Sequence, residues 1–296
     1  FLMLQPSLEI ITNIDNDHLS NYENDINNLE SAFLEFVKKL PFNGLLVACG
    51  DDPIIQKLYP SFARKTILYG FKEKNDYIIR NYKALGLTSE FTLSNNKGHT
   101  SNLKLNLPGR HNVLNATASS VLALEEGIPI LNIQSALGKF SGINRRMQFL
   151  GKLNKSSIID DYGHHPTEIR NTVLALRESF PKEKITMVFQ PHRFSRTKEL
   201  YEEFVEVLQL VDELILLEIY PAGENPIKEI SSSNLLNNIK VKGFKKAELA
   251  GSEAEAIKLI GSSLSKQRGV LLIQGAGSIS EISEKLIKKM NKHDRY

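Results

Sequence analysis

Ser157-Ile158-Ile159-Asp160-Asp161-Tyr162-Gly163-His164-His165-Pro166-Thr167-Glu168 is the stretch whose pattern decides the fold class. A short apolar run turns polar at two carboxylates, two histidines follow, and Pro166 stands where the first turn of a helix can spare an N–H. That is a buried strand, a loop and a helix start. The unit recurs along the second half of the chain. Strands predicted at 157–160, 185–189, 213–217 and 270–274 alternate with helices predicted at 166–180, 197–210, 252–264 and 279–290. This alternation specifies an α/β architecture with a mostly parallel, doubly wound sheet.

Upstream of Gly142 the rhythm differs. A mostly apolar run at 8–14 predicts a buried strand. Ile26, Leu29, Phe33, Phe36, Val37 and Leu40 recur at three- and four-residue spacing, which predicts an amphipathic helix ended by Pro41. A second buried strand at 45–48 runs into the turn Gly50-Asp51-Asp52-Pro53 and a short helix. Strand-like pieces at 66–69, 77–80, 90–93 and 103–107 precede two helices, 112–126 and 131–140, separated by Gly127 and Pro129. The change of rhythm divides the chain into domains at 1–142 and 143–296, in line with a prior of ~150 residues per domain.

Of the 296 residues, 41% are apolar and 24% charged, which excludes global disorder. No apolar run approaches the ~20 residues of a membrane helix. The 37 basic and 34 acidic residues leave a charge of +3, and the lysines are scattered, so nucleic acid is not an expected partner. Cys49 is the single cysteine; it reads as buried packing and suits a reducing, cytoplasmic compartment. The opening Phe1-Leu2-Met3-Leu4-Gln5-Pro6 has the character of a strand interior, which fits either a trimmed terminus or the later part of a longer protein.

Six polar clusters sit where strands end, the usual ligand edge of an open α/β sheet. Asp15-Asn16-Asp17-His18 can hold a divalent metal or cap a helix. Gly109-Arg110-His111-Asn112-Val113-Leu114-Asn115 puts Asn112 and Asn115 on one helix face, where an amide can pair with an adenine edge; Asn112 can also serve as an N-cap. The double-histidine loop after Asp161 exceeds what capping requires. In Gln190-Pro191-His192-Arg193-Phe194-Ser195-Arg196-Thr197, Arg193 and Arg196 can fork onto a carboxylate or phosphate, or simply be solvated. Glu218-Ile219-Tyr220-Pro221-Ala222-Gly223-Glu224 is explained equally well as a turn. Gln274-Gly275-Ala276-Gly277-Ser278 carries only part of a dinucleotide fingerprint, which close backbone packing explains as well.

Taken in order with Asn144-Arg145-Arg146, these segments resemble the Mur ligases over essentially the whole chain. Asp161-Tyr162-Gly163-His164-His165-Pro166, Gln190-Pro191-His192-Arg193-Phe194 and Tyr220-Pro221-Ala222-Gly223-Glu224 resemble the branch that adds L-alanine. The resemblance implies the remainder of a central ATPase domain followed by a Rossmann-like C-terminal domain. The implied activity is an ATP-dependent amide ligase of peptidoglycan precursor synthesis, joining L-alanine to UDP-N-acetylmuramate through an acyl phosphate, with ATP and Mg2+. No Gly-x-x-x-x-Gly-Lys-Ser/Thr phosphate loop occurs in the sequence, which points to a truncated chain that does not ligate by itself.

Residue by residue, the resemblance implies a metal-ligating His18. It implies adenine reading by Asn115 with His111 and Asn112 beside it. Arg146 is implied to reach the nucleotide, Asp161 to accept both ribose hydroxyls, and Tyr162, His164, His192, Arg193 and Arg196 to line the alanine side. His164 and Arg193 are the catalytic candidates. The carbamoylated lysine of several family members has no counterpart; Phe33 stands there, as suits the L-alanine branch. Two alternatives remain open from the sequence: a noncatalytic nucleotide-binding relative, and a nicotinamide-dependent oxidoreductase on the strength of Gly275-x-Gly277.

Overall fold

The computed structural model describes residues 1–15, 19–23, 25–264 and 268–293. The chain divides into two compact units, Phe1–Ser141 and Gly142–Tyr296.

The first unit runs β1 (Leu8–Ile11), α1 (Ile26–Lys38), β2 (Leu45–Cys49), α2 (Pro53–Leu58), β3 (Lys65–Gly70), β4 (Tyr77–Leu85), β5 (Thr88–Asn95), β6 (Thr100–Leu105), α3 (Arg110–Glu125) and α4 (Ile130–Lys139). Its six strands form one sheet in chain order, parallel from β1 to β4 and antiparallel from β4 to β6. β2 is buried at every position, as expected of Leu-Leu-Val-Ala-Cys in the parallel part of a covered sheet. Cys49, 3% exposed, packs in this core, and burial pushes its thiol above the usual range. α1 starts where Asp25 accepts from the Asn27 N–H, and α2 where Asp52 accepts from the N–H groups of Ile54 and Ile55.

The second unit runs β7 (Gln148–Leu153), β8 (Ser156–Asp161), α5 (Pro166–Ser179), β9 (Lys184–Phe189), α6 (Phe194–Glu199), α7 (Tyr201–Val207), β10 (Glu213–Leu217), α8 (Ser232–Val241), β11 (Ala247–Ala250), α9 (Glu253–Leu264), β12 (Gly269–Gln274) and α10 (Ser280–His293). The sheet order is β11-β10-β9-β12-β8-β7, parallel except for β7, which pairs antiparallel with β8. Strand side chains alternate between faces. Ile158, Val188, Ile215 and Leu271 pack with Ala256, Ile260, Ile282 and Leu286 of α9 and α10. Their neighbours Ile159, Met187, Leu214 and Leu272 point to the opposite face and are just as deeply buried. A sheet covered on both faces is what the continuous apolar strands require.

Three elements of this unit go beyond the sequence expectation. β7 is a half-polar edge strand with an irregular register between Phe149 and Gly151, so its alternation is weak. α8 begins in a serine-rich stretch that looks like a loop until Ser231 caps it by accepting from the Asn234 N–H. β11 has four residues. The helix expected at 197–210 is two helices, broken at Leu200, whose φ of −108° and ψ of 26° leave the α region. Among the described residues no helix is long and apolar enough to cross a membrane.

Candidate active site

In the second unit β8, β9, β10 and β12 all point the same way, so the loops after Asp161, Phe189, Leu217 and Gln274 meet at one edge. An aromatic series spans three of these loops. Tyr162 meets His164 edge-on at 5.4 Å, His164 lies 5.5 Å from His192, and His192 stacks on Tyr220 at 5.5 Å and 16°. The stack is held by backbone bonds: the Tyr220 N–H donates to the Pro191 carbonyl and the Arg193 N–H to the Tyr220 carbonyl, both at 2.8 Å.

The protonation of these rings follows from their surroundings. His164 Nδ1 lies 3.1 Å from the Tyr162 carbonyl, which can only accept, so Nδ1 is the donor in this contact. His192 is pushed down to about 4 by burial and by the positive neighbours His164, Arg196 and Arg193, against a smaller opposing effect of Glu224. It is therefore neutral at pH 7, and its Nδ1 has no hydrogen-bond partner among the described residues.

Arg193 is exposed and sits at the start of α6 with φ 72° and ψ 138°, a region that non-glycine residues rarely occupy. The loop holds it there from both sides: its carbonyl accepts from Thr197, and Glu224 takes the Ser195 N–H and hydroxyl. Arg196 follows in the last turn of the same short helix.

Arg146 pairs with Glu168 at 3.0 Å and lies over the Tyr162 ring at 5.7 Å, with half its side chain exposed. Glu168 closes a capping box on α5, accepting from the His164 and His165 N–H groups, while the His165 side chain accepts from Thr167. Burial alone would raise the Glu168 carboxyl; the bonds from His164, Arg146 and His165 outweigh it and hold it below the usual range.

Asp161 departs from expectation. It is 4% exposed, and three protein donors already use its oxygens: Gly163 N–H at 2.8 Å, Gln274 Nε2 at 2.9 Å and Met147 N–H at 2.9 Å. A carboxylate offers about four acceptor positions, so both ribose hydroxyls cannot be accepted without displacing a protein donor. Its evident work is to tie the loops before β7, after β8 and at the end of β12 together.

In the first unit, α3 presents Asn112 and Asn115 as the spacing predicts, but they differ in freedom. Asn112 Nδ2 donates to the Pro108 carbonyl at 2.8 Å, and the N-cap is Gly109 with no side-chain cap, so Asn112 does not cap the helix. Asn115 is exposed, and no side-chain hydrogen bond engages its amide among the described residues. His111 is half-buried. The guanidinium of Arg110 lies 3.7 Å from the Phe71 ring centre and 5.4 Å from that of Tyr82, which pins the start of the helix. His18 lies outside the described residues; among those described, no group of three or more His, Cys, Asp or Glu side chains could hold a metal ion.

The Gly275-Ala276-Gly277 turn has a packing explanation. A Cβ on Gly277 would stand 2.5 Å from Gln190 Oε1 and 2.7 Å from Tyr220, and one on Gly275 would stand 2.8 Å from the Gln190 carbonyl. The glycines admit Gln190 and Tyr220, and the oxidoreductase alternative loses its only support. Sequence reasoning passed over Arg145, Gln190, Tyr220 and Gln274 as individual residues. Arg145 donates to the Gly275 carbonyl at 2.6 Å and pairs with Asp160 at 3.4 Å. A polar residue ending an otherwise apolar strand, as Gln274 does, was the available signal.

Comparison with known proteins gives the family of the chain. The Mur ligase middle domain matches residues 2–123, and the Mur ligase glutamate ligase domain matches residues 145–277. The chain belongs to the Mur ligases. It is 44% identical over 295 residues to the UDP-N-acetylmuramate–L-alanine ligase of Baumannia cicadellinicola subsp. Homalodisca coagulata, covering 97% of this chain and 60% of that protein. The crystal structure of the UDP-N-acetylmuramate–alanine ligase MurC of Thermotoga maritima superposes with a TM-score of 0.79 at 29% identity, over 99% of this chain and 61% of that one. At 20% identity the Thermotoga maritima MurF ligase, solved in complex with ADP, shares the fold with a TM-score of 0.74, over 97% and 63%. This Mur ligase chain thus spans about 60% of the length of the relatives it matches.

Proposed function

We propose that this Mur ligase chain carries the nucleotide and amino-acid sides of an enzyme that joins L-alanine to UDP-N-acetylmuramate in peptidoglycan precursor synthesis, in the cytoplasm. The observation that carries the proposal is the 44% identity to a ligase of that name across both units. In the reaction, the muramate carboxylate attacks the γ-phosphorus of ATP, ADP leaves and an acyl phosphate forms. The alanine amine then attacks the acyl carbon; the C–N bond forms, the bond to phosphate breaks, and the amine gives up its surplus proton.

This chain's residues divide the work. Arg193 and Arg196 present planar forks to the alanine carboxylate. His192, neutral at pH 7, offers a lone pair toward the ammonium, and His164 and Tyr162 form the wall beside it. Asn115 is free to read an adenine edge, with His111 and Asn112 beside it. Arg146 reaches the nucleotide by releasing Glu168, and Asp161 accepts at most one ribose hydroxyl while keeping its loop bonds. Mg2+ at His18 belongs to the same proposal; among the described residues no group of three or more His, Cys, Asp or Glu side chains could hold the ion.

The test is phosphate release by the product of the whole reading frame that encodes this sequence, with ATP, Mg2+, UDP-N-acetylmuramate and either L-alanine, glycine or D-glutamate. L-Alanine should support the fastest turnover. Faster turnover with another amino acid would remove the alanine assignment while leaving the ligase class intact.

A further inference from the structure

Gln190 is the last residue before the Pro191-His192-Arg193 loop, 7% exposed, and its amide is spent entirely on other loops. Its Oε1 accepts from the Ile279 N–H at 2.9 Å, and its Nε2 donates to Ser278 Oγ at 3.2 Å and to the Glu218 carbonyl at 3.4 Å. Its own N–H donates to the Gln274 carbonyl at 3.2 Å. One side chain therefore joins the ends of β9, β10 and β12. The glycines of the last loop leave room for it, since a Cβ on Gly277 would collide with both Gln190 and Tyr220. A buried amide with every bond made holds one geometry, because losing a partner leaves a buried donor or acceptor unsatisfied.

We propose that Gln190 is the positioning residue of the alanine side: it sets the loops from which His192 and Tyr220 stack. The proposal rests on the ligase reading only for the name of the ligand; the mechanical link is independent of it. Gln190 fixes the Glu218 carbonyl two residues before Tyr220 and the backbone two residues before His192. Those two rings then close on each other through the Pro191, Tyr220 and Arg193 backbone bonds. The groups facing His192 are His164, Tyr220, Arg193, Arg196 and Glu224.

The experiment follows the His192 imidazole by NMR titration in this chain, with Gln190→Met and Ser278→Ala as variants. Gln190→Met keeps the volume and loses every side-chain bond. Ser278→Ala removes one acceptor at a half-buried position and keeps the fold if the first variant does not. In the unsubstituted chain His192 should titrate at about 4. In Gln190→Met the midpoint should rise toward the ordinary ~6.5 as the stack loosens and water reaches the ring, and in Ser278→Ala it should rise less. A lowered unfolding temperature with the midpoint unmoved in either folded variant would make Gln190 a packing residue only and overturn the proposal. Failure of the alanine assay would leave this titration unaffected, so the two readings fall separately.

Discussion

Asp161 shows how a residue chosen for chemistry can be committed first to architecture. Asp161→Ala removes three accepted hydrogen bonds and strands the donors of Gly163, Gln274 and Met147 in the interior. At about 1–3 kcal/mol for each buried donor left unpaired, with partial relaxation, we expect a loss of roughly 3 kcal/mol in urea unfolding of the second unit. Any weakening of nucleotide binding should appear on top of that loss; an unchanged unfolding midpoint would mean that the loops do not depend on this carboxylate. His192 makes a pH prediction. Its folded value of about 4 lies below the ordinary ~6.5 of an unfolded chain. Between these values the unfolded state binds more protons, so stability rises with pH across that window and levels off above it. His192→Gln cannot titrate, so the unsubstituted chain should lose stability relative to this variant as pH falls from 6.5 to 4. Parallel pH profiles would show that the imidazole is not held neutral. Arg193→Lys keeps the charge and loses the fork; in the reading-frame product the KM for L-alanine should rise about tenfold while that for ATP holds. The reverse pattern would move this arginine to the nucleotide.

At the scale of elements, α5 is the helix on which the site most depends. Its capping box uses His165 and Glu168, and the same Glu168 holds Arg146 and the His164 backbone. Glu168→Ala should therefore cost about 1–2 kcal/mol, near the upper end for a lost cap. It should also free Arg146 and the Tyr162–His164 contact. Thermal unfolding reads the first effect and the NMR signal of the His164 ring the second; a stability loss with the His164 signal unmoved would mean that the cap and the site are independent. The break between α6 and α7 at Leu200 has a comparable logic. α6 carries Arg196 and is stopped after six residues, whereas α7 continues with Phe204, Val205 and Val207 buried. One straight helix from Phe194 to Val207 would have to present both Arg196 and this core face on a single axis.

At the scale of the whole molecule, each unit has its own sheet and core. The first unit's cluster runs from Ile11 to Val121, and the second unit's from Leu153 to Met290. A fragment of residues 142–296 should therefore unfold in a single cooperative transition and retain the His164–His192–Tyr220 series, because every contact of that series lies inside it. Circular dichroism with denaturant and the histidine NMR spectrum check both points. A molten fragment, with helical signal but dispersed imidazole resonances lost, would show that the second core is insufficient by itself.

The amino-acid order by itself determined the α/β class, the parallel rhythm of the second unit and the family, because apolar strand runs, proline-opened helices and polar strand ends are local signals that survive without coordinates. The lone cysteine and the helix face shared by Asn112 and Asn115 were legible for the same reason. Tertiary structure alone decided what was not local. β7 and β11 exist because a neighbour supplies their hydrogen bonds, and their own patterns are too short or too polar to announce them. Asp161 and Asn112 look alike in sequence as free polar groups; only the fold shows that Gln274, Met147 and Pro108 have already engaged them. Tyr220 looked like a turn residue until parallel strands brought it onto His192. A hydrogen bond between residues more than a hundred positions apart, such as Gln274 to Asp161, leaves no periodicity in the chain, because its geometry is created by the sheet that both strands enter.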